Sequence, residues 1–285
     1  MRIPDGLSWL QDEPTGASWL AELPRTVEQV AERWDLELGD PFADSSVAWV
    51  APARREGEPV VVKVQWPHPE CEHEAAALAV WAGDGAIELL GHDPERHALL
   101  LERCTPGTHL AHDPGVDAIG IMASLLPRLW KPSGEPFQTL EDEAQGWRGS
   151  VVRAWNAAGR PCERRLVDAA RTLLADLSTT QGEQVLVHQD LHGDNVLASQ
   201  RSPWLAIDPK PLIGEREFSC APIIRSFEFG HSEQHVTGRL DRLSAQLGLD
   251  RERVRGWAVA QTVAWSFSSA YAPMHFATAR WLLDA

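Results

Sequence analysis

Residues 185–197 read VLVHQDLHGDNVL. An apolar run, a polar loop and a second apolar run predict two strands flanking a tight loop. A little further on, residues 204–207 form another apolar run that ends at Asp208. Pro209 follows, which disfavours helix at Asp208 and predicts an extended residue there. Asp190, Asn195 and Asp208 therefore stand at the ends of apolar runs. Phosphoryl transfer uses such a set. One carboxylate takes the proton of an attacking hydroxyl, while an amide oxygen and a second carboxylate hold Mg²⁺ on the phosphates. A polar turn is the plainer account of Asp190 or Asn195 alone. The three in this order favour the chemical account.

The order also matches the catalytic and metal-binding segments of kinases. HQDLHGDN resembles the H-x-D-L-H-x-x-N segment of aminoglycoside and choline-type small-molecule kinases. WLAIDPKPLIGEREF, residues 204–218, is similar to the metal-binding segment of the aminoglycoside/hydroxyurea resistance kinases, the family of the streptomycin 6-kinases. IPDGL, WLAELP and VVVKVQWPHPECEHEAAAL resemble the same family, so the likeness spans most of the chain. It implies a bilobal, protein-kinase-like α+β fold, with a first lobe over 1–104 and a mainly helical second lobe over 105–285. ATP and Mg²⁺ are the cofactors it implies. The acceptor it implies is a hydroxyl on a small, polar, cationic molecule, an aminoglycoside of the streptomycin class. Hydroxyurea or a metabolite is the alternative acceptor. A non-catalytic kinase-like binding protein is the alternative class, but it would need a broken Lys63, Asp190, Asn195 or Asp208, and none is broken.

Composition bounds these readings. The 285 residues suffice for one large domain or two packed lobes, and 44% hydrophobic content supports a buried core. A net charge of −15 argues against non-specific binding of nucleic acid or anionic membrane. Cys71, Cys104, Cys162 and Cys220 lie far apart, with no C-x-x-C spacing for zinc or redox chemistry. No apolar signal core or bilayer-length run occurs, so a reduced, cytoplasmic protein is expected.

Along the chain, residues 18–36 have helical apolar spacing, with Pro24 a candidate kink. Residues 44–51 alternate and predict the first hairpin over the nucleotide, although no G-x-G-x-x-G is present. Ser45 and Ser46 are candidate phosphate contacts, with an ordinary polar turn equally open. Residues 59–65, PVVVKVQ, form a strand around Lys63. A buried lysine needs partners, which phosphate oxygens and a glutamate would supply. Residues 69–81 predict one helix that carries Glu70 and Glu74 on a shared face. Glu74 is the preferred partner of Lys63, because the helix continues on both sides of it, and Glu70 is the alternate. Residues 87–90 and 98–102 predict two strands around a turn at 91–96. The Thr105-Pro106-Gly107 break marks a hinge. Glu102 and Cys104 are placed beside a purine by position alone, through backbone rather than side chain.

Helical spacing covers 116–129, 140–155, 164–177, 239–247 and 254–270. Glu141, Asp142 and Glu143 read as a solvated first helical turn rather than a cation site. His188 and His192 read as groups that shape the loop, since neither has metal-ligand spacing. Ser219 stands where the resembling kinases often have Asp. Glu228, Glu233 and Trp265 are candidate acceptor contacts, each with a plainer core or surface reading.

Overall fold

The computed structural model describes residues 1–43 and 45–285; Asp44, the first residue of the expected hairpin segment, lies outside the described residues. The chain divides into two compact units, Met1–Gly107 and Thr108–Ala285.

In the first unit a 3-10 turn over Asp5–Asp12 precedes helix α1, Gly16–Trp34. Strands β1 (Leu36–Leu38), β2 (Ala48–Arg55) and β3 (Glu58–Gln65) follow. Helix α2 (Glu74–Trp81) then leads to β4 (Leu89–Asp93) and β5 (Ala98–Glu102). The five strands form one antiparallel sheet in the order β1-β2-β3-β5-β4. Glu56 and Gly57, both at positive φ, make the two-residue turn between β2 and β3, the turn that matches strand twist. Strand side chains alternate between faces. Val60, Val62 and Val64 thus join Leu20, Leu23, Val27 and Val30 of α1 in one core, which also takes Leu7, Leu10 and Trp49. Lys63 and Gln65 are left on the other face of β3.

Three expectations need correction here. Helix α1 passes through Pro24 and stops at Trp34, where Asp35 turns left-handed; Leu36 already belongs to β1. The single helix expected over 69–81 is two pieces. A 3-10 turn over Pro69–Cys71 is capped by His68, whose Nδ1 accepts from Glu70 N at 3.3 Å, and the α-helix restarts at Glu74. Finally, β4 begins at Leu89 and runs through part of the expected turn. A Cβ on Gly91 would lie 3.3 Å from Leu100 Cβ and 3.4 Å from the Trp34 ring, so this glycine is a close-packing position inside the strand rather than a turn signal.

The second unit carries helices α3 (Ala118–Leu129), α4 (Leu140–Ala157) and α5 (Arg164–Thr179), then four short strands. These are β6 (Gln184–Val187), β7 (Val196–Ala198), β8 (Trp204–Ala206) and β9 (Leu212–Glu215). Helices α6 (Ala221–Arg225), α7 (Glu233–Leu247), α8 (Arg251–Ser266) and α9 (Ala272–Asp284) close the chain. The strands expected on either side of the polar loop exist but do not pair with each other: β6 pairs with β9, and β7 with β8. Val185, Val187 and Leu212 join Leu174, Phe218 and Trp257 in a core around α8. Glu215, fully buried at the end of β9, locks this arrangement. It accepts from Arg253 Nη2 at 2.8 Å, from Gly182 N at 2.9 Å and from the Trp257 indole. Glu141–Glu143 occupy the first turn of α4, capped by Thr139 Oγ1 on Asp142 N, which is the solvated-turn arrangement. Cys162 and Cys220, both buried, are free thiols. Among the described residues no helix is long and apolar enough to cross a membrane.

Candidate active site

In the first unit, Lys63 Nζ donates to Glu74 Oε2 at 2.7 Å, and Gln65 Nε2 donates to the same oxygen at 2.6 Å. Lys63 is 6% exposed and Glu74 1%, so the pair lies in low dielectric and its geometry is fixed. Glu70 sits exposed on the 3-10 turn. Glu74 pairs the lysine, though not from mid-helix as expected: it opens α2, where the helix dipole favours a carboxylate. Ser45 and Ser46 lie in the connection between β1 and β2, and the Ser46 carbonyl accepts from Trp9 Nε1 at 2.8 Å. That bond ties the loop to the N-terminal 3-10 turn, for which the sequence offered no signal. Glu102 Oε2 accepts from Glu88 N at 2.9 Å, and Cys104 is buried just beyond β5.

In the second unit, β6 delivers the chain to His188, Gln189 and Asp190. Gln189 takes φ 65°, and its carbonyl accepts from Gln261 Nε2 of α8 at 3.1 Å. This turn aims Asp190 at two cations. Arg225 Nη2 donates to Oδ1 at 3.1 Å, and Lys210 Nζ lies 3.3 Å from Oδ2. Both cations sit over the Trp265 ring, at 4.6 and 5.0 Å from its centroid. Burial alone would raise the Asp190 pKa; the charges of Lys210, His192 and Arg225 outweigh it and hold the carboxyl below its usual range.

Asn195 ends a 3-10 turn, Gly193–Asn195. Its Nδ2 donates to the Asp190 carbonyl at 2.9 Å and lies 3.2 Å from His192 Nε2. With Nδ2 turned to both, Oδ1 is the atom left to act as a ligand. Glu228 fastens the same turn: its Oε1 accepts from Gly193 N at 2.9 Å and lies 3.7 Å from His192 Nδ1. Burial opposes the charge on Glu228, but these donors win and carry its pKa down to about 2. Only glycine fits at 193, where a Cβ would stand 2.4 Å from the Phe229 ring.

The β7–β8 hairpin brings residues 204–208 alongside. Val196 pairs with Ala206, and Ile207 N donates to the Asn195 carbonyl at 2.9 Å. Asp208 follows at once, and here the sequence reading fails: Asp208 is not extended but has φ 56°. Backbone bonds on both sides, Ile207 N to Asn195 O and Lys210 N to His188 O at 3.0 Å, turn the chain there. Asp is among the few residues that tolerate the left-handed region. His188, 1% exposed, donates from Nε2 to Ile207 O at 2.9 Å, and burial lowers its pKa to about 4. It bonds the backbone next to Asp208, the loop-shaping role expected of it.

Other candidates land elsewhere. Glu228 braces the loop of Asp190 rather than lining open space. Glu233 is exposed at the start of α7, whose cap is Ser232. Ser219 accepts from Trp130 Nε1 at 3.1 Å and donates to Arg216 O, so local hydrogen bonding persists without an Asp. Sequence reading gave no role to Lys210, Arg225 or Gln261. A cation two residues past Asp208 is a local signal for Lys210; Arg225 and Gln261 reach the loop through contacts distant in sequence.

Solved structures share this fold. The choline kinase LicA from Streptococcus pneumoniae aligns with TM-score 0.67 at 12% identity, over 93% of this chain and 100% of its own. A thermostable mutant of aminoglycoside phosphotransferase APH(4)-Ia, in ternary complex with ADP and hygromycin B, aligns with TM-score 0.61 at 14% identity, over 90% and 95%. The architecture is that of the small-molecule kinases. Within that class, the family described as Aminoglycoside/hydroxyurea antibiotic resistance kinase matches residues 33–272, and the chain belongs to it. Streptomycin 6-kinase of Streptomyces glaucescens is 37% identical over 85% of this chain and 81% of its own. Hydroxyurea phosphotransferase of Kitasatospora aureofaciens is also 37% identical, over 85% and 71%.

Proposed function

We propose that this chain transfers the γ-phosphoryl group of ATP to a hydroxyl of a small, polar, cationic molecule, an aminoglycoside of the streptomycin class. The observation that carries the reaction type is the β7–β8 hairpin, which holds Asn195 and Asp208 at its two ends while Asn195 is bonded to the Asp190 backbone. The acceptor class rests on the streptomycin 6-kinase relative.

The donor set fits Mg²⁺. Asn195 Oδ1 and the Asp208 carboxylate are hard oxygen donors. Among the described residues no group of three or more His, Cys, Asp or Glu could hold a metal alone. Mg²⁺ on a nucleotide needs only one or two protein oxygens, because phosphates and water complete its shell. Held by Asn195 and Asp208, Mg²⁺ would supply neutralisation of the phosphate charge. Lys63, oriented by Glu74, holds the α- and β-phosphates. Ser45 and Ser46 offer hydroxyls and backbone N–H groups to the phosphates, and the backbone near Glu102 and Cys104 takes the purine. Asp190 orients the acceptor hydroxyl and receives its proton. Its depressed pKa makes it a weak base, so orientation comes first and proton transfer late.

Hydroxyurea is the second reading. The hydroxyurea phosphotransferase relative is as similar in identity, and the two cations beside Asp190 suit a neutral group at the reacting hydroxyl. ADP release with Mg·ATP over streptomycin, other aminoglycosides, hydroxyurea and hydroxylated metabolites separates the readings. Turnover with streptomycin alone supports the first; turnover with hydroxyurea alone supports the second; ATP consumption with no acceptor dependence contradicts both.

A further inference from the structure

The Asp190 carboxylate has a cation at each oxygen, and the two cations are not equivalent. Arg225 is the more enclosed, with its side chain 13% exposed against 27% for Lys210. Its guanidinium lies closer to the Trp265 ring, and its Nε is buried without a hydrogen-bond partner among the described residues. Leaving a buried N–H unsatisfied is costly, so a guanidinium placed this way needs a compensating contact. The Trp265 face and Asp190 Oδ1 are those contacts.

The backbone under Arg225 is also pinned. Arg239, 4% exposed, donates to the carbonyls of Ile224 at 2.9 Å, Ser226 at 2.6 Å and Gly230 at 2.8 Å. The two residues flanking Arg225 are therefore held by one buried side chain. Lys210, by contrast, reaches Oδ2 on a flexible four-carbon stem, at a longer distance.

We propose that Arg225, seated on Trp265, is the positioning residue that fixes the Asp190 carboxylate through Oδ1. Oδ2, the oxygen beside the more exposed Lys210, is the one that receives the acceptor hydroxyl. The inference rests on the phosphotransferase reading. In the step it describes, the acceptor oxygen bonds to the γ-phosphorus, the bond from that phosphorus to ADP breaks, and the acceptor proton passes to Oδ2. Arg225 touches neither nucleotide nor acceptor; it acts through Asp190. Planarity matters, because a guanidinium both stacks on an indole and donates in its plane, which an ammonium cannot do.

The test uses the full chain with Arg225→Gln, Arg225→Lys, Trp265→Leu and the Gln/Leu double variant, on an acceptor that the wild type turns over. Nucleotide affinity by calorimetry and the Asp190 orientation in crystal structures accompany the kinetics. Arg225→Gln is expected to lower kcat about 100-fold, the scale of misplaced reacting groups, with nucleotide affinity within about twofold. Arg225→Lys should recover about tenfold of that loss. Trp265→Leu should lose about tenfold, and the double variant should be no worse than Arg225→Gln, because both changes remove one support. In crystals of Arg225→Gln the carboxylate should turn away from its wild-type orientation. An Arg225→Gln kcat within about threefold of wild type overturns the inference. So do losses that multiply in the double variant, or a carboxylate that keeps its place. A wild-type chain that phosphorylates no acceptor instead overturns the phosphotransferase reading beneath it.

Discussion

The side-chain amide of Asn195 donates to the backbone carbonyl of Asp190 at 2.9 Å. The residue proposed to accept the proton and a residue proposed to hold the metal are thus fastened to each other. Moving one moves the other. Asp208, the other residue proposed to hold the metal, joins them through the neighbouring bond from Ile207 N to the Asn195 carbonyl.

Asp208→Ala should therefore separate metal from nucleotide. Asp208 is proposed to contact the ion and not the base or sugar, so Mg·ATP affinity should fall at least tenfold while metal-free ATP affinity stays within about twofold. Calorimetry with and without Mg²⁺ measures both. Equal losses in the two conditions would point to damage at the end of β8 instead.

Glu215→Ala should be severely destabilising. The carboxylate is fully buried and is held by Arg253, Gly182 N and the Trp257 indole. Removing the carboxylate leaves the Trp257 indole without its acceptor and Arg253 with only the longer bonds to Leu177 O and Thr180 Oγ1, at a cost of about 3–5 kcal/mol. Urea unfolding followed by tryptophan fluorescence reads this directly. A midpoint equal to wild type would contradict the account of how β9 is locked to α8.

His275 supplies a pH dependence. It is 7% exposed, and burial, with Arg225 and His231 nearby, lowers its pKa from 6.5 to about 4. Between those values the unfolded chain binds a proton that the folded chain does not. Stability therefore rises with pH across this window. The neutral ring's contribution is fully present above about 6.5 and is lost as pH falls toward about 4. NMR titration of the histidine ring resonances should find His275 still neutral at pH 5; a midpoint near 6.5 would contradict its burial.

Legibility in the sequence followed the range of the interactions. The β3 strand around Lys63 and the loop around Asp190 were readable because apolar runs and their polar breaks are local patterns. The sequence favours Glu74 over Glu70 as the lysine's partner, in agreement with the Lys63–Glu74 bond, but nothing local reveals that the helix restarts at Glu74. Asp208 is not extended, because the preference before proline yields to two backbone bonds from distant segments. Arg225 and Gln261 reach Asp190 and Gln189 across 35 residues or more, and Trp265 lies under Arg225 and Lys210; periodicity carries no information about such contacts. Strand β9 and the last helix, α9, also escape, the first because its apolar pair Leu212–Ile213 is cut off at once by Gly214 and the second because it lies beyond the last periodic run.

Salt should distinguish the acceptor classes. The chain carries a net charge of −15, which attracts cations at a distance, while the nearest charges to Asp190 are Lys210 and Arg225. Long-range capture is screened by salt and contacts in a buried site much less. With a guanidinium-bearing acceptor, kcat/KM should fall with added inert salt at fixed free Mg²⁺, while kcat changes less. Hydroxyurea, being neutral, should show little effect. An unchanged kcat/KM with a cationic acceptor would contradict electrostatic capture.

The central claim is that Asp190 serves transfer of a phosphoryl group to an acceptor hydroxyl. Single-turnover transfer of label from γ-labelled ATP, with wild type and Asp190→Asn compared at saturating nucleotide and acceptor, tests it most directly. The account predicts label in the acceptor with wild type, and a rate lower by about 10²–10⁴-fold in Asp190→Asn with nucleotide affinity nearly intact. Equal rates of labelling in the two folded proteins, or label released only as inorganic phosphate, would contradict it.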